Sequence, residues 1–177
     1  MKSEKNKFSL KKTVIAAMFA ALACVATMVI NIPIPATGGY INLGDCIVIL
    51  SGWMLGGVYG TAAAGIGSML SDVILGYASF APGTLVIKAL MAFVAYIVYK
   101  SLSGINGFVA RLLSAVFAEA VMVFGYFIYE ATLLGYGIGA AGAIPGNLIQ
   151  GVGGIIISVL VMELIKNNRV IARLIGE

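Results

Sequence analysis

The chain has 177 residues, 61% hydrophobic and 10% charged, with a mean hydropathy of +1.06. A soluble domain carries about a quarter charged residues, so this composition excludes an ordinary water-soluble fold and calls for a polytopic membrane protein. The net charge of +4 comes from basic residues gathered at the ends of apolar runs, which is a topology signal and not a nucleic-acid surface.

At about 20 residues per crossing, hydrophobic windows predict a single domain of six membrane-spanning helices over residues 1–177, with a basic segment at 1–9. Span 1 covers about residues 10–30. Its apolar run from Thr13 to Ile30 has spanning length and no small-residue cleavage site, so it reads as a span and not a removable signal. The segment "NIPIPATGGYINLGD" follows. Its prolines and glycines exclude helix, and "GYINLGD" suits a short extended cap. Spans 2 and 3, at about 45–58 and 60–77, are joined by "GGVYG" and should form a tight hairpin. Spans 4 and 5 are expected at about 83–100 and 107–131. A glycine-rich break, "LLGYGIGAAGAIPG", precedes span 6 at about 145–166.

Cytoplasmic loops carry the excess of Lys and Arg. Lys2, Lys5, Lys7, Lys11 and Lys12 precede span 1, Lys100 and Arg111 flank the span 4–5 loop, and Lys166, Arg169 and Arg173 follow span 6. With six spans these all fall on one side, so both termini are expected in the cytoplasm and the two long irregular loops outside. The basic residue left over is Lys88, about two turns in from the outer end of span 4. The same arithmetic puts Asp45 at the start of span 2, Asp72 in the outer half of span 3 and Glu130 at the end of span 5, all at one level, with Glu119 deeper.

A charge at the bilayer centre costs about 2.5–3.5 kcal/mol on insertion scales, so such residues face a bundle interior or a cavity. Helical spacing supports one lined pocket. Glu119, Tyr126 and Glu130 lie within about 20° of one stripe; Ser68, Asp72 and Gly76 align at i, i+4, as do Thr84 and Lys88. Asn147 and Gln150 form an i, i+3 pair, and Asp45 shares a face with Trp53. Carboxylates, an ammonium, an amide pair and the aromatics Trp53, Tyr77, Phe80 and Tyr126 are what a pocket for a small polar ring compound needs.

Structural alternatives stand beside this. Asp72 and Lys88 fit an ion pair joining spans 3 and 4, and Asp45 fits an N-terminal cap for span 2. Glu163 and Lys166 have the spacing of a solvated pair. Cys24 and Cys46 show no C-x-x-C spacing and the chain has no histidine, so zinc and haem sites lack their usual ligands, and both thiols read as packing residues. Neither a Walker A sequence nor a G-x-S-x-G elbow occurs, so ATP hydrolysis is not expected of this chain. Span 1 reads "TVIAAMFAALACVATMV", placing Ala16 with Ala20 and Ala17 with Ala21 at the spacing that lets helices approach closely in lipid.

Taken together, the basic N-terminus, the alanine-rich first helix, "GGYINLGD", "SGWMLGGVYGTAAAGIGSMLSDVILGY", "APGTLVIKAL" and "GNLIQG" resemble the S component of energy-coupling factor (ECF) transporters, the vitamin-uptake membrane proteins of prokaryotes. Within it the chain looks most like the branch that includes pyridoxine and hydroxymethylpyrimidine transporters, often described generically or as riboflavin-type.

The resemblance implies a location in a prokaryotic plasma membrane and a vitamin bound near the outer face, under a lid between helices 1 and 2, here Asn31 to Gly44. It implies association with a transmembrane T component and two ABC-type ATPases, which use the ATP while this chain carries no cofactor, and toppling of the S component to open its site inward. It also implies that the alanine face of helix 1, carried onto Ala16, Ala20, Ala17 and Ala21, contacts the T component. The residues expected to bind substrate are Asp72, Lys88, Glu130, Asn147, Gln150, Trp53, Tyr77, Tyr126, Asp45 and Thr84. A stand-alone ion- or proton-coupled carrier using Asp72, Lys88 and Glu119 is the competing reading.

Overall fold

The structure is a computed structural model and describes residues 10–165. The basic residues Lys2, Lys5, Lys7, Lys166, Arg169 and Arg173, used above for orientation, lie outside the described residues. The elements in chain order are α1 (Leu10–Val29), β1 (Ile32–Ile34), β2 (Gly39–Ile41), α2 (Gly44–Leu55), α3 (Gly57–Leu75), α4 (Ala81–Ser101), α5 (Gly107–Thr132), a 3-10 turn (Gly137–Ala143) and α6 (Ile144–Ile165).

Five of the described helices are long and apolar enough to cross a bilayer, the last with its preceding 3-10 turn. The exception is α2. Its 12 residues reach about 18 Å at 1.5 Å per residue, well short of the ~30 Å hydrocarbon core. Span 2, expected over about 45–58, is therefore shorter than the sequence suggested, because the chain turns at Gly56 (φ 61°) and Gly57 (φ 35°), a backbone region that glycine enters without steric cost. The turn folds α3 back on α2, close enough that a Cβ on Gly60 would stand 2.3 Å from the Ser51 carbonyl oxygen. Ser51 Oγ donates to the carbonyls of Val48 and Gly60.

The short α2 forms the axis of the bundle. Val48, Ile49 and Leu50 pack with Met91, Ala92 and Ala95 of α4, Ala115, Ala118 and Met122 of α5 and Val159 of α6. Outward faces remain greasy, as Val14, Ile74, Val86, Phe117, Phe124 and Ile156 are all exposed. In water such faces would be an aggregation hazard; in lipid they are solvated. Helix α1 is the most peripheral, with only Ala23 and Thr27 buried.

Between α1 and α2, β1 and β2 form a two-stranded antiparallel hairpin with Ile32 opposite Ile41 and Ile34 opposite Gly39. The expected extended cap is thus one arm of a hairpin. At the opposite end of the bundle the Arg111 guanidinium forms an ion pair with Glu163; Lys166, the partner expected from the sequence, lies outside the described residues. Arg111, read from the sequence as a loop-flanking charge, is only 6% exposed. It lies one turn inside α5, where its length lets it cross to α6.

Candidate functional site

The hairpin covers one end of the bundle, and beneath it lies a narrow cavity with about 20 Å³ of free space. The brevity of α2 creates it. Asp45, in the first turn of α2, meets Lys88, which is seven residues into α4 and so about 10 Å below that helix's start. The other helices rise past the recessed end of α2, and the hairpin roofs the gap.

The floor is a buried polar network. The Lys88 ammonium pairs with Asp45 Oδ1, and Gln150 Nε2 donates to Asp45 Oδ2 at 2.7 Å. Gln150 Oε1 accepts from the Asn42 backbone N–H at 2.8 Å and from Asn42 Nδ2 at 3.2 Å. Asn42 Oδ1 in turn accepts from the Gly44 N–H at 2.8 Å, fixing the start of α2. Asp45 is fully buried and Lys88 is 2% exposed, so neither charge has water to fall back on and the hydrogen bonds must satisfy them. The Lys88 ammonium also lies 5.4 Å from the centroid of the Tyr126 ring, a favourable cation–π distance.

The walls come from one stripe on each long helix. Ser68 and Asp72 of α3, Thr84 and Lys88 of α4, Tyr126 and Glu130 of α5, and Asn147 and Gln150 of α6 all line the cavity. Thr84 Oγ1 and Tyr126 OH are 2.9 Å apart. From above, the Tyr40 hydroxyl of β2 donates to Asp72 Oδ1. Burial first, and the adjoining Asp72 carboxylate second, raise the Tyr40 hydroxyl above the usual tyrosine range, so it remains a donor. Tyr40 packs against Tyr77 with centroids 4.5 Å apart and ring planes tilted by 41°, and Phe80 closes a corner near Gly39 and Glu130. Two carboxylate oxygens in these walls, Asp72 Oδ2 and Glu130 Oε2, make no close hydrogen bond.

Seven of the ten residues expected from the sequence line this space: Asp72, Lys88, Glu130, Asn147, Gln150, Tyr126 and Thr84. The other three are placed differently. Asp45 lies under the floor and contacts Lys88 and Gln150. Tyr77 stands behind Tyr40. Trp53 is remote: its indole N–H donates to Ser114 Oγ at 2.9 Å and its ring lies 6.2 Å from Tyr99. An i, i+8 relation on one helix face fixes direction but not depth, and eight residues is about 12 Å along α2.

The expected Asp72–Lys88 ion pair is not formed, since Asp45 takes the ammonium and Tyr40 takes Asp72. Nor does Asp45 cap α2, because Asn42 supplies that hydrogen bond. Glu119 is not in the cavity but beside Gly151 and Gly154 of α6. Among the residues that sequence reasoning missed are Tyr40, Asn42, Gly39 and Thr27, whereas Ser68 stands on the stripe with Asp72 as its spacing suggested. For the first two a signal existed: residues two apart in an extended segment leave it on the same face.

The alanines of α1 lie together on one surface. Ala16, Ala17, Ala20 and Ala21 line an apolar groove with Ala62, Ala63, Ile66 and Leu70 of α3. A Cβ on Gly67 would lie 2.3 Å from the Ala20 carbonyl oxygen, so the Ala16/Ala20 edge is partly committed to α3. Ala17 and Ala21 are exposed.

The comparisons agree with this architecture. A family described as the ECF-type riboflavin transporter, S component, matches residues 7–167. An uncharacterized protein of Pyrococcus woesei is 41% identical over 133 residues, covering 75% of this chain and 86% of that relative. A solved structure titled "Structure and mechanism of the S component of a bacterial ECF transporter" superposes with a TM-score of 0.70 at 22% identity, covering 89% of this chain and 96% of the other; at that identity the likeness bears on the fold. The chain belongs to the S-component family of ECF-type transporters and is the membrane-embedded, substrate-binding kind of transport subunit.

Proposed function

We propose that the cavity under the hairpin binds a small vitamin or vitamin precursor, a nitrogen heterocycle of the pyridoxine or hydroxymethylpyrimidine kind, for ATP-driven import. The observation that carries this reading is the lining: carboxylate oxygens of Asp72 and Glu130 that make no close hydrogen bond, an amide pair at Asn147 and Gln150, and ring faces from Phe80, Tyr40 and Tyr126. Carboxylates accept from a ring N–H or an exocyclic amine, amides meet hydroxyl arms, and aromatic faces stack on the ring.

In this reading α2 counts as span 2 although it is short, which brings the spans to six; both termini face the cytoplasm of a prokaryotic cell, and the cavity faces outward with the hairpin as its lid. The partners are a T component and two ABC-type ATPases. The groove supports that assignment, since small side chains on α1 and α3 permit the close helix approach on which association in lipid depends. Riboflavin is the second reading, favoured by the name of the matched family. The test is mass spectrometry of small molecules released from the purified protein. A pyridine or pyrimidine bearing hydroxymethyl arms is expected, and a flavin would replace the first reading by the second.

A further inference from the structure

In the pocket half of the bundle, four carboxyl groups, Asp45, Asp72, Glu119 and Glu130, are each no more than 4% exposed. Among the described residues the one ammonium buried with them is Lys88, and Asp45 engages it. The surplus is visible atom by atom. Asp72 Oδ2, Glu130 Oε2 and both oxygens of Glu119 make no close hydrogen bond, although the Thr84 and Thr37 hydroxyls adjoin Asp72 and Glu130 and the Asp45 carboxyl adjoins Glu119. An acceptor buried without a donor costs ~1–3 kcal/mol, and more if it is charged, so these atoms await donors. Glu119 lies outside the cavity, but Asp72 and Glu130 line it.

We propose that the ligand of this cavity is a cation at neutral pH, an aromatic nitrogen base whose ammonium or protonated ring N–H sits against Asp72 and Glu130, and that the site rejects anionic derivatives such as phosphate esters. The proposal rests on the reading of the cavity as a vitamin site and moves its ligand from the hydroxymethyl compounds named above to their cationic amine counterparts. Three features fit. Phe80 and Tyr126 offer ring faces, which attract cations. Lys88, the group that would repel one, is already neutralised from below by Asp45. The Tyr40 hydroxyl occupies only one oxygen of Asp72, leaving the other for the ligand. A neutral ligand could donate hydrogen bonds here but would leave the excess negative charge in place.

The experiment measures equilibrium binding by calorimetry on the full chain in detergent, with two matched ring series. In the pyridine series the probes are pyridoxamine, which carries an ammonium, pyridoxine, its hydroxymethyl counterpart, and pyridoxamine 5′-phosphate. In the pyrimidine series they are 5-aminomethyl- and 5-hydroxymethyl-4-amino-2-methylpyrimidine. The amine of at least one series should bind at least tenfold more tightly than its alcohol, and the phosphate ester should not compete. In Asp72→Asn and Glu130→Gln, which keep side-chain volume, that preference should fall to less than threefold while the protein still elutes as a folded species. Alcohols binding as tightly as amines, or a bound phosphate ester, would overturn the cation proposal and leave the vitamin site standing. Binding by no member of either series would sink both.

Discussion

Replacing Lys88 by Met separates what the buried ion pair does for the fold from what it does for the ligand. Lys88 and Asp45 are 2% and 0% exposed, and removing one member of such a pair leaves an uncompensated charge at a cost of about 3–5 kcal/mol. For a chain of this size each kcal/mol moves the melting temperature by roughly 2–4 °C, so Lys88→Met should melt roughly 6–20 °C below the wild type. Adding Asp45→Asn removes the orphaned charge, and the new amide oxygen still accepts from Gln150 Nε2. The double variant should therefore recover most of the loss, giving a coupling energy of several kcal/mol in the double-mutant cycle. Affinity for a cationic ligand should not fall with the stability, because Lys88 lines the cavity as a positive charge that the ligand does not need. Thermal unfolding followed by size-exclusion chromatography, with ligand titration in parallel, reads both quantities. Additive losses in the double variant, or an unperturbed single variant, would refute the pairing.

Tyr40→Phe removes the hydroxyl that ties the hairpin to Asp72 and leaves a second bare carboxylate oxygen; at ~1–3 kcal/mol, ligand dissociation should accelerate roughly 5- to 150-fold, which stopped-flow measurement would detect. An unchanged off-rate would mean the hairpin does not retain the ligand. Ala17→Trp with Ala21→Trp fills the exposed edge of the α1–α3 groove without entering the α1–α3 contact at Ala20, so transport should be lost with ligand binding intact; loss of binding would instead assign the stripe to bundle packing. Glu119→Gln replaces a buried, donorless carboxyl by a neutral group of equal size, and the melting temperature should hold or rise. A fall of more than about 4 °C would show that the carboxylate charge at Glu119 is structurally required.

Much of this molecule was readable in the sequence because lipid makes charge placement expensive. Asp72, Lys88, Glu130, Asn147 and Gln150 stood out by polarity on otherwise apolar stripes, and helical spacing alone aligned them. Pairing was not readable. Which of Asp45 and Asp72 would take the Lys88 ammonium depends on the length of α2, and hydropathy runs through "SGWMLGGVYG" without marking where the helix ends. The turn at Gly56 and Gly57 sets that length, sinks Asp45 to the level of Lys88 and frees Asp72 for Tyr40. Trp53 misled for the same reason, since its face was right and its depth wrong. The hairpin contributed least to the reading, because "NIPIPATGGYINLGD" gives only helix-breaking residues and two three-residue strands are too short to leave a periodic signal.

The proposed function turns on a division of labour in which this chain captures substrate and its partners supply the drive. Reconstitution into liposomes tests it, with labelled substrate outside and either this chain alone or this chain with a T component and two ATPases, ATP inside. Uptake is predicted only for the full set and only with ATP, and Asp72→Asn should reduce it in step with affinity. Accumulation by this chain alone, driven by a proton gradient and abolished by Glu119→Gln, would contradict the claim and establish a stand-alone carrier instead.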